Sequence, residues 1–162
     1  CDWSSDVCSS DLGGIVGALA GRLDAAQLAR LEAHARHEHE AMHAGDRAAS
    51  IRLSGEFHML LAEFTGSPFV LRQLQELVSR TSMLVAFFEP ASASACGCEE
   101  HEDIFTALRQ GDAARAMKAM HVHLSLIETR LRPRADVAAA VDVEREIERA
   151  WAAEQARAPQ TA

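Results

Sequence analysis

Apolar residues recur every three or four positions along most of the chain, which is the spacing of an amphipathic helix. Asp24 with Gln27 forms a capping-box sequence before the first periodic stretch, which ends near Gly45. Asp46 is a suitable N-cap for a second stretch, whose wide apolar arc ends at Gly66. In the first stretch we assign the buried stripe to Leu28, Leu31, Ala35 and Met42.

The same signals predict further helices later in the chain. Ser67 followed by Pro68 is typical of a helix start, and the helix that follows runs to about Phe88. The small-residue run over 91–97 predicts a loop. Two more helices follow, separated by a turn at Gly111. Their apolar stripes contain Ile104, Phe105 and Leu108 in one, and Ala116, Met120, Ile127 and Leu131 in the other.

The sequence has no repeat at a solenoid period, and it has no Asn-Gly or Asp-Gly hairpin signal that would indicate a sheet. We therefore predict an all-α fold, an antiparallel helical bundle of five to six helices in one domain. Residues 1–12 lack periodicity and resemble translated sequencing-adaptor sequence, so we expect them to be a non-native artefact. We assign the ligand-binding domain, with a truncated first helix, to 13–132, and a peripheral helix or disordered extension to 133–162.

The formal net charge of −8 would repel phosphate, so this chain alone is not expected to bind nucleic acid. No apolar run approaches the roughly 20 residues that span a bilayer, and no signal peptide is recognisable, which predicts a cytoplasmic protein without membrane partners. Cys96 and Cys98 are too close to form a disulfide framework. They could offer soft metal ligands or a redox pair, although two small residues in a loop are the simpler interpretation.

Two histidines lie on apolar stripes, since His101 and His123 each share a face with the apolar residues of their helices. His121 lies about 200° around the helix from His123 and should be exposed. His58 lies on the flank of its apolar arc, where its direction is open. Three imidazoles from three helices can converge in a bundle core and bind zinc or nickel. Core histidines bonded to carbonyl groups are the alternative.

A second motif, His39-Glu40-Ala41-Met42-His43, spells the H-E-x-x-H pattern of zinc proteases. The polar residues that precede this motif indicate a solvated helical face. These residues are His34, His37 and Glu38. No strand is available to align a peptide, and no third ligand is evident. A hydrolase at the three-histidine site would need a general base, for which only Glu100 is placed nearby. We therefore do not predict an enzyme, and a metal-dependent hydrolase or protease is the alternative. A di-iron bundle ranks last, because only one Glu-x-x-His pair is clear.

Two segments extend this histidine pattern into a longer signature. The first runs from Leu53 to His58 and on to Gly66-Ser67-Pro68, similar to F-H…L-A-x-x-x-G-N-P. The second runs over 100–124, similar to E-E-H…A-L…G-D…A…M…H-L, with the same 22-residue step between its two histidines. Over roughly 15–132 the chain resembles the FCD domain, the effector-binding half of FadR-subfamily regulators in the GntR family.

This resemblance implies a bundle that binds a small carboxylate metabolite, often through a divalent metal. His58, His101 and His123 match the family's three histidine ligands, and the usual Asp ligand corresponds to Ser54. Serine is a poor ligand for a divalent ion, so three histidines would be completed by water or by the effector. Some members of the fold use no metal, which is the alternative.

The resemblance also implies a homodimer that controls a winged helix-turn-helix. No such segment precedes Ile15 in this chain, so DNA would be bound only through that missing N-terminal domain. A carboxylate effector needs a cation near the metal, and we select Arg80, with Thr81 and Ser82, as effector-binding residues. An arginine whose side chain extends into solvent is the alternative for Arg80.

Overall fold

A computed structural model describes residues 12–89 and 94–131, with side chains over 12–89 and 97–131. These residues form six helices and no strand, which confirms the all-α prediction for the described part of the chain. We number the helices α1 (12–19), α2 (Ala25–His43), α3 (Arg47–Phe64), α4 (Pro68–Phe88), α5 (Ser94–Gln110) and α6 (Ala113–Leu131). The predictions for 1–11 and for 133–162 lie outside the described residues, whereas Leu12 is buried in the core.

Local hydrogen bonds explain where the helices begin. The Asp24 carboxylate accepts the backbone N–H of Gln27 across 2.8 Å, and the Gln27 side chain accepts that of Asp24 across 3.0 Å, so the capping box is confirmed. Asp46 and Ser67 accept a backbone N–H in the same way at the starts of α3 and α4. Asp112 does so at the start of α6.

The predicted loop over 91–97 is wrong in its second half, because α5 already begins at Ser94. Cys98 lies three positions before His101 and is buried on the same face of α5. Packing of that face therefore extends the helix through Gly97, against the weak helix propensity of glycine.

The buried stripe of α2 also differs from the prediction. Its buried residues are Leu31, His34, Glu38 and Ala41; of the predicted stripe, Leu31 is buried and Leu28 packs partly buried against the core. The stripe is rotated because His34 and Glu38 find partners inside the bundle. His34 Nε2 lies 2.9 Å from the carbonyl oxygen of Leu53, and Glu38 contacts a histidine described below.

Helix α3 lies at the centre of the bundle, in contact with α2, α4 and α5, while α5 also contacts α2 and α6. Consecutive helices that pack together across two- or three-residue connections run antiparallel. A side chain at Gly55 would place its Cβ 2.9 Å from Cγ1 of Val78, so this glycine allows α4 to approach α3 closely. The most deeply buried large side chains of the core include Phe57, Leu31, Leu61, Ile104, Leu108 and Met120.

Candidate metal centre

Three histidines from three helices meet in the core. His58 comes from α3, His101 from α5 and His123 from α6, and their side chains are buried. Nε2 of His123 lies 3.2 Å from Nε2 of His58 and 3.3 Å from Nε2 of His101. One nitrogen of each ring lies within 4.8 Å of the other two, and no other group of three potential ligands in the described part of the chain is this close. The flank position of His58 thus faces the same point as the other two.

The protonation of His123 is set by a carboxylate behind it. Nδ1 of His123 donates to Oε2 of Glu100 across 2.7 Å, since a carboxylate oxygen only accepts. Burial alone would raise the pKa of Glu100, but hydrogen bonds from His123 and Arg130 outweigh burial and lower it, so the carboxylate is ionised. A neutral His123 then carries one lone pair, on Nε2. That lone pair faces two other imidazole nitrogens and can accept from only one of them.

A second carboxylate stands behind His101. Nδ1 of His101 lies 2.8 Å from Oε1 of Glu38, which is 5% exposed. Burial raises the pKa of Glu38 to about 7, because the charged form is poorly solvated there. A cation on Nε2 of His101 would favour the ionised carboxylate and a proton on Nδ1. Both supported histidines would then direct their lone pairs to the same point.

The spacing of the nitrogens agrees with a metal ion. Zinc bound by imidazole at 2.0–2.1 Å in a tetrahedron separates two ligand nitrogens by about 3.3–3.4 Å. The observed separations of 3.2 and 3.3 Å agree with that value. Burial lowers the pKa of His101 to about 3 and that of His123 to about 4, and it holds the pKa of His58 well below the usual range. Neutral imidazoles are the form that binds a metal, so the donor set fits a divalent ion.

The third histidine is held differently. His58 has no carboxylate behind it, and its buried Nδ1 has no hydrogen-bond partner among the described residues. Its ring meets that of Phe57 edge-on, with the centroids 5.5 Å apart. Phe57 in turn stacks on His101, at a centroid distance of 4.2 Å and an interplanar angle of 17°. Aromatic packing therefore orients His58. Its Nδ1 remains able to form a hydrogen bond with a bound ligand.

Arg130 connects this centre to two other helices. Its guanidinium lies 2.7 Å from Oε1 and 3.2 Å from Oε2 of Glu100. Its Nε lies 2.7 Å from Oε1 of Glu89, the residue that caps the C-terminal end of α4. The end of α6 is thereby tied to α5 and to the end of α4 through mostly buried charges.

Two small cavities adjoin the histidines, and Ser54 lines both of them. The first encloses about 50 Å³ and is lined by residues that include Glu38, Glu89, Cys98, His123 and Arg130. The second encloses about 70 Å³ beneath α4 and is lined by His58 and by mostly aliphatic side chains. We name them the charged cavity and the neutral cavity. Their volumes suit a few non-hydrogen atoms each.

The three predicted effector-binding residues do not lie together. Thr81 and Ser82 line the neutral cavity. The side chain of Arg80 is 72% exposed and forms an ion pair with Glu76 one turn earlier on α4. Arg80 therefore occupies the solvent-exposed position that was the alternative for it, outside both cavity walls.

The H-E-x-x-H motif forms no comparable cluster with other residues that the structure describes. His39, Glu40 and His43 are exposed on α2, and Nδ1 of His39 lies 3.0 Å from Sγ of Cys98. Burial raises the pKa of the Cys98 thiol to about 11, so the thiolate that binds metals or reacts is disfavoured. The predicted solvated face beside the motif is wrong for His34 and Glu38, which are buried. The side chain of Cys96 lies outside the described residues.

Sequence reasoning missed Glu38 and Arg130 as site residues and considered Glu100 only as a base. A weak signal for Glu38 exists, because Leu31, His34, Glu38 and Ala41 recur at helical spacing. Two of these four positions are polar, so the stripe does not stand out by hydrophobicity. The exposure of His121 agrees with its prediction.

The described residues form an all-helical domain with three histidines buried in its core and two small cavities beside them. The sequence profile of the FCD domain matches residues 13–126, more than half of the chain, so the chain belongs to the FCD domain family. It is similar to a solved structure described as Streptococcus agalactiae GntR, with a TM-score of 0.61 and 25% sequence identity. The alignment covers 78% of this chain and 61% of that protein, so the chain spans about three fifths of its relative's length.

Two further findings complete the comparison. No curated protein matches the sequence. Among the described helices, none combines the length and apolarity needed to cross a bilayer. The family and the structural neighbour identify an effector-binding regulatory domain of the GntR type.

Proposed function

We propose that this domain senses a small carboxylate metabolite at a divalent metal held by His58, His101 and His123, and that it regulates transcription as a homodimer. Zinc or nickel is the ion that this donor set suits best. DNA would be bound by a winged helix-turn-helix outside this chain. The observation that carries the proposal is that Nε2 of His123 lies 3.2 and 3.3 Å from Nε2 of His58 and of His101 in a buried cluster, in which two of the three rings are backed by carboxylates. When bound, the ion would supply a positive centre for the carboxylate of the effector.

The position of the carboxylates favours sensing over hydrolysis. Glu38 and Glu100 each face Nδ1 of a histidine, so neither is placed as a base for a metal-bound water. Glu40, the base of the H-E-x-x-H alternative, is exposed on α2 with no third ligand beside it in the described part of the chain. A domain of this kind binds and releases its ligand without turnover.

Metal analysis of the purified protein tests the proposal. We expect one zinc or nickel ion per chain in the wild type and loss of most of it in His101→Ala. His121→Ala is the matched control, because His121 lies on the exposed side of α6 two positions from a proposed ligand. Equal metal content in the two variants would refute the three-histidine centre.

An exposed apolar face supports the dimer. Only one residue of α4, Leu74, is buried within the chain. Large apolar side chains of the same helix are exposed to solvent, namely Phe69, Leu77, Met83, Leu84, Phe87 and Phe88. Several large apolar side chains exposed on one helix indicate an interaction site, and in a homodimer a second copy would cover them.

A further inference from the structure

We infer that the ligand of this centre is a small monocarboxylate with an uncharged tail, bound with its carboxylate at the metal and its tail in the neutral cavity. The inference rests on the proposed metal centre and adds the chemical class of the ligand. It follows from the positions of Ser54 and His58 and from the distribution of charge around the two cavities.

Ser54 marks the place where the carboxylate would enter. It lies one helical turn before His58 on α3, so both side chains leave the helix on the same side. It lines both cavities, which also share Ile51, Val85 and Ile127 as walls. Serine leaves the ion without a fourth protein ligand and leaves room for one from outside. A ligand oxygen at this point can reach the metal, while the rest of the molecule extends into one cavity.

The neutral cavity accepts an uncharged tail. No charged side chain among the described residues lines it, and most of its wall is aliphatic, including Leu74, Leu77 and Val78. Its polar groups are the hydroxyls of Ser54, Thr81 and Ser82 and the ring of His58. With a metal on Nε2, Nδ1 of His58 carries a proton and has no acceptor in the described protein. A hydroxyl or carbonyl oxygen on an otherwise aliphatic tail would satisfy it.

The described walls of the charged cavity offer little positive charge to balance a second carboxylate on the ligand. Among the described residues that line it, Arg130 is the one with a guanidinium, and this group already contacts Glu100 and Glu89. Glu38 and Glu89 line the same cavity, and Glu100 contacts Arg130 beside it, so the described residues in and next to this cavity contribute three carboxyl groups and one guanidinium. A second carboxylate on the ligand would be buried beside like charges or among aliphatic groups, and both positions carry a large desolvation cost. Charge therefore selects against di- and tricarboxylates.

Butyrate and succinate test this selection, because both have four carbons and differ in whether the far end is a methyl group or a carboxylate. Isothermal titration of the metal-loaded protein at neutral pH should show butyrate binding at least about tenfold more tightly than succinate or citrate. Equal or tighter binding of succinate or citrate, or no binding of butyrate, would overturn the inference while leaving the metal centre intact. Absence of metal from the wild-type protein would overturn both.

Two substitutions at Ser54 locate the carboxylate. Ser54→Asp offers the ion a protein ligand in place of the external one, so butyrate affinity should fall at least about tenfold while metal is retained. Ser54→Ala removes the hydroxyl without offering the ion a ligand, so it should retain more butyrate affinity than Ser54→Asp. Arg80→Ala, outside both cavities, should leave butyrate affinity unchanged. Wild-type affinity in Ser54→Asp, or a tenfold loss in Arg80→Ala, would show that the carboxylate binds elsewhere.

Discussion

Nδ1 of His123 and Oε2 of Glu100 lie 2.7 Å apart, and this hydrogen bond joins α6 to α5 one residue before His101. The same carboxylate accepts from Arg130 near the end of α6. Glu100 therefore fixes the proton of His123 on Nδ1, and it directly precedes His101 in the sequence. Its own carboxylate is held in place by Arg130. A metal ligand whose outer N–H donates to a fixed carboxylate is oriented and made more basic.

Glu100→Gln should weaken metal binding by about tenfold to hundredfold. The amide oxygen can still accept from His123, but it carries no charge to increase the basicity of the imidazole or to hold Arg130. Competition with a chromophoric chelator measures the affinity. Glu99→Gln is the control, since Glu99 is exposed on the same turn of α5. Equal affinities in the two variants would show that Glu100 has no role in metal binding.

Removal of the metal should lower the melting temperature. An ion that binds only the folded state stabilises it by about 2.7 kcal/mol at a free concentration one hundred times its dissociation constant. For a domain of this size that corresponds to a decrease of roughly 5–10 °C on chelation. Differential scanning fluorimetry with and without chelator measures it. His121→Ala should behave as the wild type, whereas a chelator-dependent shift in His101→Ala would contradict the assignment of the ligand.

Most of the fold could be predicted from the sequence because its signals are local. The caps at Asp24, Asp46 and Ser67 depend on residues three positions away, and all three were predicted. The error at Gly97 has the opposite origin, since tertiary packing of Cys98 outweighs local propensity there.

The proposed site could be predicted only in part, for a related reason. Periodicity alone predicted that His101 and His123 face the core. The family resemblance was needed to assign His58 to the same site. Glu38 contacts His101 across 63 residues of sequence, and a buried carboxylate looks like a surface residue until its partner is known. Arg80 and Arg130 are equally charged in sequence, and only the fold places Arg130 in a cavity wall.

Phe57 should matter for both stability and metal affinity. It is 1% exposed and its ring stacks on His101, so it fills the core and also fixes one proposed ligand. Phe57→Ala should reduce the free energy of unfolding by about 3–5 kcal/mol, measured by urea denaturation of the metal-free protein. Phe69→Ala is the control, because Phe69 is 64% exposed and should change stability by no more than about 0.5 kcal/mol. Similar losses in both variants would contradict the placement of Phe57 in the core.

Charged substitutions on α4 should separate the proposed dimer. Leu84 and Phe87 are 43% and 77% exposed, and they lie three positions apart on a helix that buries only Leu74 within the chain. In a dimer that covers this face, Leu84→Glu with Phe87→Glu would bury two carboxylates without partners, which is costly enough to favour the monomer. Sedimentation velocity at micromolar concentrations should show a dimer for the wild type and a monomer for the double variant. Gln73→Glu adds charge at an exposed polar position of α4 and should remain dimeric. Because the three histidines of the proposed metal centre belong to one chain, metal content should be the same in the monomeric variant. Loss of metal together with the dimer would indicate misfolding rather than a broken interface.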